Sequence, residues 1–427
     1  MLNRTLAPQS KEVDEISFIE PVRQKLDNGI PVFTINAGEQ ELVRIEFIFE
    51  NVNWNPSMPL QAVAVNHLIN NGTEHLTARE IADKVDYYGA FLQTEYGADQ
   101  SNVKLYTLNK HLASVLPILY AILNESIFPD QELGIFIQNQ KQSLQVSLQK
   151  NDFLARKHFA NALFGETTYG SNIEASDYDA LNKAELLSYF KAAYKPENCT
   201  IIVAGKFEEQ EFDILNKIIG RQWANGAASA VNSFTFEPVA GSEIFIEKPE
   251  AIQSAIRMGA MAITRSHSDF PGLQVLNCLL GGYFGSRLMA NIREDKGYTY
   301  GIGSAVSSLK DAGYIFIATE VGTEVCTSAL TEIEKEINLL NQELVSPEEL
   351  DLVRNYMLGS MLGSLENAFS HADKFRNVYF SGLDYSYYEN YIRTVKTITA
   401  EELKRLAGIY LNTTDFTKVV VGKKGAA

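Results

Sequence analysis

The sequence is short of the residues that mark several common protein classes. It has three cysteines, Cys199, Cys278 and Cys326, and no Cys-x-x-Cys pair, so neither a disulfide framework nor a zinc knuckle is expected. No apolar run approaches the roughly 18 residues of a membrane-spanning helix, and no apolar h-region follows the start. These absences predict a protein of the reducing cytoplasm, with no signal peptide and no membrane partner.

Positive charge and histidine are also scarce. The 37 Lys and Arg residues face 53 Asp and Glu, a formal net charge of -16. Such a surface repels phosphate backbones, so we expect no nucleic-acid partner. The six histidines include no two that lie three or four positions apart, so no helical pair can chelate a metal. The 45% of hydrophobic residues is ordinary for folded domains, and the length predicts about two or three of them.

Two segments of the chain recur at about half its length. Residues 182–206 align without a gap with residues 399–423, an offset of 217 (399 − 182). Both begin with a polar residue followed three positions later by Glu, as in a capping box, and both end in an apolar strand pattern. Residues 64–72 likewise resemble residues 275–283, each an apolar helix that ends in Asn or Gly. Chance similarity of helix–strand units is the alternative; the shared order favours an internal duplication.

Each half carries both strand and helix patterns. Strands are predicted at 43–49, 103–108, 254–263 and 314–320, and helices at 109–126, 130–149 and 326–344, with a further helix capped by Ser346. We predict an α+β fold of two homologous domains, each a mostly antiparallel sheet with helices packed on one face. A linker at 224–242, rich in small residues, would join a first domain at 1–223 to a second at 243–427.

One segment of the second half is specific enough to suggest a family. Residues 281–301 contain a glycine-rich turn, Ser-Arg-Leu, Ile-Arg-Glu, and a Tyr seven residues after the second Arg (300 − 293). This segment resembles the second-domain signature of the pitrilysin/insulinase family of zinc peptidases, in the mitochondrial-processing-peptidase-like branch. Residues 71–73, 77–81 and 88–91 are similar to that family's run after its zinc helix. The resemblance implies a LuxS/processing-peptidase-like metalloenzyme fold in which paired units enclose a chamber for peptides.

The zinc motif of that family does not survive in this chain. Active members carry His-x-x-Glu-His on one helix, with a distant Glu as third ligand. Carried over, these positions fall on Val63, Asn66, His67 and Ser147. Zinc needs three protein ligands and an ionisable base, and Val, Asn and Ser supply none of them. We therefore expect a degenerate site with no metal, in which His67 is a hydrogen-bonded helix residue rather than a ligand.

The resemblance implies a substrate-binding role for Arg293 and Tyr300. Arg293 is predicted in the last turn of a helix at 286–296 that Gly297 ends, and Tyr300 at the start of the following strand. There the Arg and Tyr donors could hold backbone carbonyls of an extended peptide. The alternative is that Arg293 only complements the helix dipole or pairs with a neighbouring carboxylate. Two flanking residues are expected to be structural, Arg287 and Tyr298.

These observations predict a non-catalytic, substrate-positioning subunit of a heteromeric zinc-dependent metalloendopeptidase that acts on peptides or unfolded segments. Zinc would come from a homologous partner subunit, and the isolated chain would be inactive or form a homodimer. Two alternatives stay open. One is a stand-alone peptide-binding or scaffold protein without peptidase activity. The other is an active enzyme with an unrecognised metal or nucleophile site, although no Gly-x-Ser-x-Gly elbow and no phosphate-binding loop is present.

Overall fold

A computed structural model describes residues 13, 15–236 and 241–424. The described residues form two β-sheets with helices around them, so the predicted α+β class is confirmed. No helix within these residues is both long and apolar enough to cross a membrane. The first sheet is built entirely from strands that precede residue 206, and the second entirely from strands that follow residue 242.

The first half contributes six strands and eight α-helices to the described part of the chain. The predicted strands at 43–49 and 103–108 are present with slightly wider bounds, and the helix predicted at 109–126 begins as a 3-10 turn. In chain order the elements are β1 Val22–Lys25, β2 Pro31–Asn36, β3 Leu42–Glu50, α1 Gln61–Leu68, α2 Ala78–Tyr87, β4 Phe91–Tyr96, β5 Gln100–Leu108, α3 Leu112–Glu125, α4 Asp130–Ser147, α5 Asn151–Phe164, α6 Ala175–Asp179, α7 Lys183–Ala193, β6 Cys199–Gly205 and α8 Glu209–Leu215.

The second half follows the same plan with five described strands and six α-helices. Two π-helical segments, Cys278–Gly282 and Met289–Asp295, stand where the sequence predicted ordinary helix. The remaining elements are β7 Glu243–Glu247, β8 Gln253–Ala262, α9 Phe270–Asn277, β9 Thr299–Ser308, β10 Gly313–Gly322, α10 Cys326–Gln342, α11 Pro347–Gly363, α12 Ala368–Tyr379, α13 Ser386–Thr397, α14 Ala400–Tyr410 and β11 Thr417–Gly422.

The two sheets share one strand order. The first runs β1-β2-β6-β3-β5-β4 and the second β7-β11-β8-β10-β9. In each sheet one pair is parallel, β2 with β6 and β7 with β11, and all other neighbouring strands are antiparallel. Apart from the additional edge strand β1, every strand of the first sheet has a counterpart at the same place in the second. This correspondence is what an internal duplication predicts.

Side-chain caps begin several of the predicted helices. Ser346 accepts a hydrogen bond from the backbone N–H of Glu349, which fixes the start of α11. The same contact is made at the two equivalent helix starts of the repeat, by Asn182 at α7 and Thr399 at α14. A complete capping box also needs the Glu side chain to accept a hydrogen bond from the backbone N–H of the cap residue. This second bond is absent at these three helices, whereas the full box forms at Thr77.

Each sheet buries one face against helices of its own half. The odd-numbered side chains of β3, from Val43 to Phe49, enter the core of the first half together with residues of α1, α3 and α7. Strands β8, β9 and β10 do the same in the second half, against α9, α10, α11 and α14. Because alternate residues of a strand point to opposite faces, each sheet has a second face that must also be covered or polar.

That second face is covered by one helix from the opposite half. Helix α5 belongs to the first half, but its residues Leu154, Phe159 and Leu163 pack on Val419 and Val421 of the second sheet. In return, α12 of the second half places residues against Phe33, Ile48 and Ile202 of the first sheet. The sequence predicted helices on one face only, and it did not foresee this exchange. The two helices occupy equivalent positions in the repeat, 217 residues apart (368 − 151).

Two further segments tie the halves together. Residues 224–236, the described part of the predicted linker, form no regular element beyond one bridge between Val231 and Val52; residues 237–240 of that linker lie outside the described residues. Before β1, Phe18 stacks on Tyr388 of α13, and the N–H of Ile19 donates to His371 Nδ1 of α12. Both ends of the first half therefore touch the second half. The predicted domain boundaries at 1–223 and 243–427 stay a prediction.

Candidate peptide-binding site and degenerate zinc positions

Helix α1 carries the three positions that correspond to the zinc motif. Val63 is half-buried and packs against the first core, and it offers no metal ligand. The imidazole of His67 lies against the ring of Phe136 on α4, with the ring centroids 4.9 Å apart. Burial against this ring lowers the pKa of His67, so the ring is neutral at neutral pH. His67 has a structural contact, and it has no second ligand beside it on this helix.

Asn66, at the position of the catalytic Glu, points into the protein. Its side chain is 2% exposed. Its Nδ2 donates to the backbone carbonyl of Asn102 at 3.2 Å and to the hydroxyl of Tyr194 at 3.1 Å. A buried amide with both donors satisfied stabilises the fold, and it cannot act as a general base. The middle position of the motif has therefore become part of the core.

The position assigned to the third ligand is not near the first two. Ser147 is the last residue of α4, eleven residues after Phe136 (147 − 136), the α4 residue that touches His67. At about 1.5 Å per residue, Ser147 lies roughly 16 Å farther along the helix axis. Across the described residues, no group of three His, Cys, Asp or Glu side chains converges as a metal site. The residues that occupy the zinc-motif positions do not fit a zinc ion.

Arg293 lies in the π-helical segment that precedes the strand β9. The segment ends at Asp295, and Gly297 follows with φ +64°, a conformation that glycine adopts without strain. The guanidinium carbon of Arg293 lies 4.7 Å from the ring centroid of Phe284, which is 66% exposed. No carboxylate of the described residues pairs with Arg293; its neighbour Asp295 pairs with Lys296 at 2.8 Å instead. The predicted alternative, an ion pair between Arg293 and a neighbour in sequence, does not form.

Tyr300 stands on a β-bulge of the edge strand β9. Thr319 of β10 opposes Ile302 and Val321 opposes Thr299, so Tyr300 and Gly301 together face a single residue, Glu320. A bulge of this kind locally re-aims a side chain. The result is a tyrosine that is 93% exposed at the margin of the sheet.

Threonine hydroxyls hold the bulge in place. The N–H of Gly301 donates to Thr299 Oγ1 at 3.0 Å, and the Thr299 hydroxyl donates to the carbonyl of Glu320 at 2.7 Å. From the neighbouring strand, the Thr319 hydroxyl donates to the carbonyl of Gly301 at 3.0 Å. These bonds satisfy backbone groups that the irregular pairing would leave open. The direction of the Tyr300 side chain is thus set by a fixed backbone rather than by contacts of its ring.

A cleft of about 570 Å³ opens beside the bulge, with walls from both halves. Asp152 comes from the start of α5, Ile252 from the turn between β7 and β8, and Glu320 from β10. Burial, and to a lesser extent the charge of Asp152, raises the pKa of Glu320. Because α5 is one of the exchanged helices, the exchange brings a first-half wall to the strand pair that carries Tyr300.

The two flanking residues are held in the protein. Arg287 forms a bidentate pair with Glu349 of α11, at 2.8 Å and 2.7 Å, and this pair raises the pKa of the guanidinium. Tyr298 packs against the second core. Both contacts are structural, whereas Arg293 and Tyr300 form no ion pair within the described residues.

The comparisons with known proteins point to one family. A family model described as the peptidase M16 inactive domain matches residues 180–357, from just before α7 into α11. A Bacillus subtilis protein described as an uncharacterized zinc protease, YmxG, is 26% identical over 309 residues, covering 71% of this chain and 74% of that protein. The chain is thus similar to peptidase M16 proteins. The description of the matched domain as inactive agrees with Val63, Asn66 and Ser147, which supply neither zinc ligand nor base.

Further comparisons agree with this assignment. A Helicobacter pylori protein described as the non-peptidase homolog YmxG is 21% identical, covering 84% of this chain and 83% of its own. A crystal structure described as a peptidase M16 inactive domain from Pseudomonas fluorescens superposes with a TM-score of 0.86. It covers 95% of this chain and 99% of that one at 21% identity. At this level of identity the superposition shows the shared fold, and function has to be argued from this chain's own residues.

Phe284 is the residue of this site that sequence reasoning missed. It lies in the glycine-rich turn at 281–285, for which the sequence predicts only a tight turn or an anion-binding loop. Of the two aromatic residues in this turn, Tyr283 packs against the second core, whereas Phe284 is exposed. An aromatic residue inside such a turn was the available signal, and the structure shows its use in the contact with Arg293.

Proposed function

We propose that this chain is the substrate-positioning subunit of a heteromeric zinc-dependent metalloendopeptidase. The observation that carries the proposal is the state of Arg293 and Tyr300. Arg293 is a cation with no carboxylate partner in the described chain, held by stacking on an exposed ring. Stacking of this kind is worth about 0.5–1 kcal/mol at an exposed site, enough to orient the guanidinium while its N–H donors stay available. Together with the outward-facing Tyr300, it offers donors to a bound main chain.

The proposed substrate is an extended peptide or an unfolded segment. Strands β4 and β9 are the outer strands of their sheets, each paired on one side only. An outer strand presents free N–H and C=O groups to which an extended peptide can add as a further strand. The bulge at Tyr300 interrupts β9 near its start, so the phenol and the guanidinium would stand beside the end of the added strand. The adjoining cleft leaves room for a side chain of that peptide.

Zinc and the catalytic base would come from a homologous partner that keeps His-x-x-Glu-His. In such a complementary division of the site, the partner activates water on zinc and this chain orients the peptide. The three free cysteines support placement in a reducing compartment, which we propose is the cytoplasm. In the absence of the partner the chain would be inactive, either alone or as a homodimer.

The test is peptide hydrolysis after co-expression with the most similar His-x-x-Glu-His homologue of the same genome. We expect activity in the mixture, sensitivity to a chelator, and little activity in either chain alone. Arg293→Ala should lower kcat/KM by roughly tenfold or more, because a hydrogen bond from a charged donor contributes about 1.5–3 kcal/mol. Tyr300→Phe should have a smaller effect in the same direction.

Two exposed residues provide matched controls. Arg393→Ala and Tyr87→Phe remove the same chemical groups elsewhere on the surface and should leave kcat/KM unchanged. Equal losses in the controls would remove the reason to single out Arg293 and Tyr300. Failure to form any complex, together with retained peptide binding by the single chain, would favour a stand-alone binding or scaffold protein. The description of the Helicobacter pylori relative as a non-peptidase homolog is the observation that keeps this second function in view.

A further inference from the structure

The second half contains a cavity at the place that corresponds to the degenerate zinc helix of the first half. At the repeat offset of 211 (275 − 64), Gln274, Asn277 and Cys278 take the positions of Val63, Asn66 and His67. All three line a cavity of about 270 Å³. In the first half, the ring centroid of Phe136 lies 4.9 Å from that of His67 and 6.5 Å from that of Tyr178.

The walls of this cavity are polar and come from four helices. Besides α9, they are α11 with Ser360, α12 with Lys374 and α13 with Tyr391. Burial raises the pKa of Tyr391, so its phenol is a hydrogen-bond donor over the whole physiological range. Asn277 is 7% exposed, and its Oδ1 has no hydrogen-bond partner among the described residues; as an acceptor, this oxygen does not contribute to the binding of an anion.

The charge in this cavity is positive, and it forms no ion pair within the described residues. Lys374 is half-buried, and its Nζ makes no hydrogen bond or ion pair within the described part of the chain. Burial lowers the pKa of Lys374, and the charge of the nearby Arg265 lowers it further, although the charge of Asp373 raises it in part. The adjacent carboxylate, Asp373, is bound to Arg44 at 2.7 Å and points to the other side of α12. A cation in this setting lacks the counter-charge that buried charges normally have.

The equivalent lysine of the first half shows what a satisfied position looks like. Lys157 lies 217 residues before Lys374 (374 − 157), and its Nζ donates to the carbonyl of Ile173 at 2.6 Å. The protein has therefore closed this position internally in one half and left it open in the other. A lysine without an ion-pair partner and a phenol donor that line one cavity form a set that complements a small negatively charged group.

We infer that the cavity of the second half binds one small oxyanion, a carboxylate or a phosphate, with Lys374 as the charge partner and Tyr391 as a hydrogen-bond donor. The volume sets an upper limit of a small metabolite-sized group, too small for a peptide strand. The inference does not depend on the proposed peptidase complex, because the cavity lies on different elements from Arg293 and Tyr300. A ligand there would join α9, α11, α12 and α13, and through α12 it would act on the helix that covers the first sheet.

The test measures ligand-induced stabilisation of the full chain. Thermal unfolding is followed with inorganic phosphate or with N-acetylglycine, at constant ionic strength maintained with chloride. A ligand that binds only the native state stabilises it by RT ln(1 + L/Kd), where L is the ligand concentration, so the midpoint keeps rising as L exceeds Kd. We expect one of the two probes to raise the midpoint, which also identifies the anion as phosphate or carboxylate. Calorimetric titration should then give one site per chain.

Three variants decide whether the effect belongs to this cavity. Lys374→Met should weaken the affinity by tenfold or more, whereas Lys191→Met, at an exposed lysine of α7, should leave it unchanged. Tyr391→Phe should weaken it less, and this variant keeps the test valid if Lys374→Met does not fold. The inference is overturned if neither probe raises the midpoint. It is equally overturned if Lys374→Met and Tyr391→Phe retain the full response, or if Lys191→Met loses it as well.

Discussion

The exchange of α5 and α12 predicts that the two halves unfold together, and Phe159 is the residue that tests this. Phe159 lies on α5, is almost fully buried, and packs on the second sheet. Its ring also lies 5.6 Å from the guanidinium carbon of Arg257, which stacks more closely on Phe316 at 4.1 Å. Replacing a buried Phe by Ala costs about 3–5 kcal/mol. The lost cation–π contact adds about 0.5–1 kcal/mol.

The size of the midpoint shift depends on how much of the chain unfolds in one step. The entropy of unfolding is about 2.1 cal/mol/K per residue, so a loss of about 4 kcal/mol lowers the midpoint by about 4–5 °C if the whole chain unfolds as one unit. If a half of about 210 residues unfolded alone, the same loss would lower its midpoint by about 9 °C. The two cases differ enough for calorimetry to separate them.

Tryptophan fluorescence supplies a probe of one half only. Both tryptophans, Trp54 and Trp223, lie in the first half, and Trp223 is buried against Phe49 of the first sheet. We expect Phe159→Ala to move the tryptophan transition by the same 4–5 °C as the calorimetric transition, although Phe159 packs on the second sheet. Phe91→Ala, at an exposed phenylalanine of β4, is the control and should change the midpoint little. Two separate transitions, with the tryptophan signal unmoved by Phe159→Ala, would refute the argument.

Three further predictions concern single groups. Val63→His combined with Asn66→Glu restores His-x-x-Glu-His, but Ser147 of α4 supplies no third ligand, so atomic absorption should find less than one zinc per chain; a full equivalent would contradict this. Burial lowers the pKa of His67 below 6.5 in the folded chain, so on acidification the unfolded chain binds the proton first. The stability that the neutral imidazole allows above pH 6.5 is therefore lost as the pH falls toward the folded pKa. An NMR titration midpoint of His67 at or above 6.5 would refute this prediction. Burial raises the pKa of Cys278 to about 12, so alkylation at pH 8 should be slower than for a thiol of pKa 9.0 by roughly a thousandfold, measured by peptide mass spectrometry.

Local structure was predictable because its causes lie within a few residues. Alternating side chains define β3 and β5, and the polar residue before α11 caps it whatever the rest of the fold does. The exchange of α5 and α12 has no such local cause. Which sheet each helix covers depends on residues far away in the sequence, such as Glu46 under α12 and Arg257 under α5. A linear sequence supplies that information only through an alignment of its two halves.

The candidate site divides in the same way. The absence of zinc ligands could be read from residue types alone, since Val63 and Asn66 cannot hold zinc in any conformation. The outward direction of Tyr300 could not, because it results from a bulge that depends on Thr319 of the neighbouring strand. The missing ion pair of Arg293 was likewise invisible, because its place is taken by the ring of Phe284 from the preceding turn.

The exchanged helices also explain how the two halves could diverge and still pair correctly. Glu46 of β3 opposes Ile202, and Arg257 of β8 opposes Val419, so these charges stand at equivalent places of the two sheets. Arg376 of α12 lies over Glu46, with 2.9 Å between its Nη1 and the Glu46 Oε1. Phe159 of α5 takes the equivalent helix position, 217 residues earlier (376 − 159), and lies over Arg257.

Interchanging these two helices would be costly at both sheets. Phe159 over the first sheet would leave the fully buried carboxylate of Glu46 with only its longer contact to Lys104, at 3.8 Å, and the loss of one partner from a buried ion pair is destabilising. Arg376 over the second sheet would meet Arg257, a like charge in a partly buried place, which is also unfavourable. Each helix is therefore specific for the sheet of the opposite half. Glu46 of the first sheet and Arg257 of the second carry charges of opposite sign, and they specify which helix packs on which sheet. The two copies of the repeat can therefore differ widely in sequence and still pair correctly.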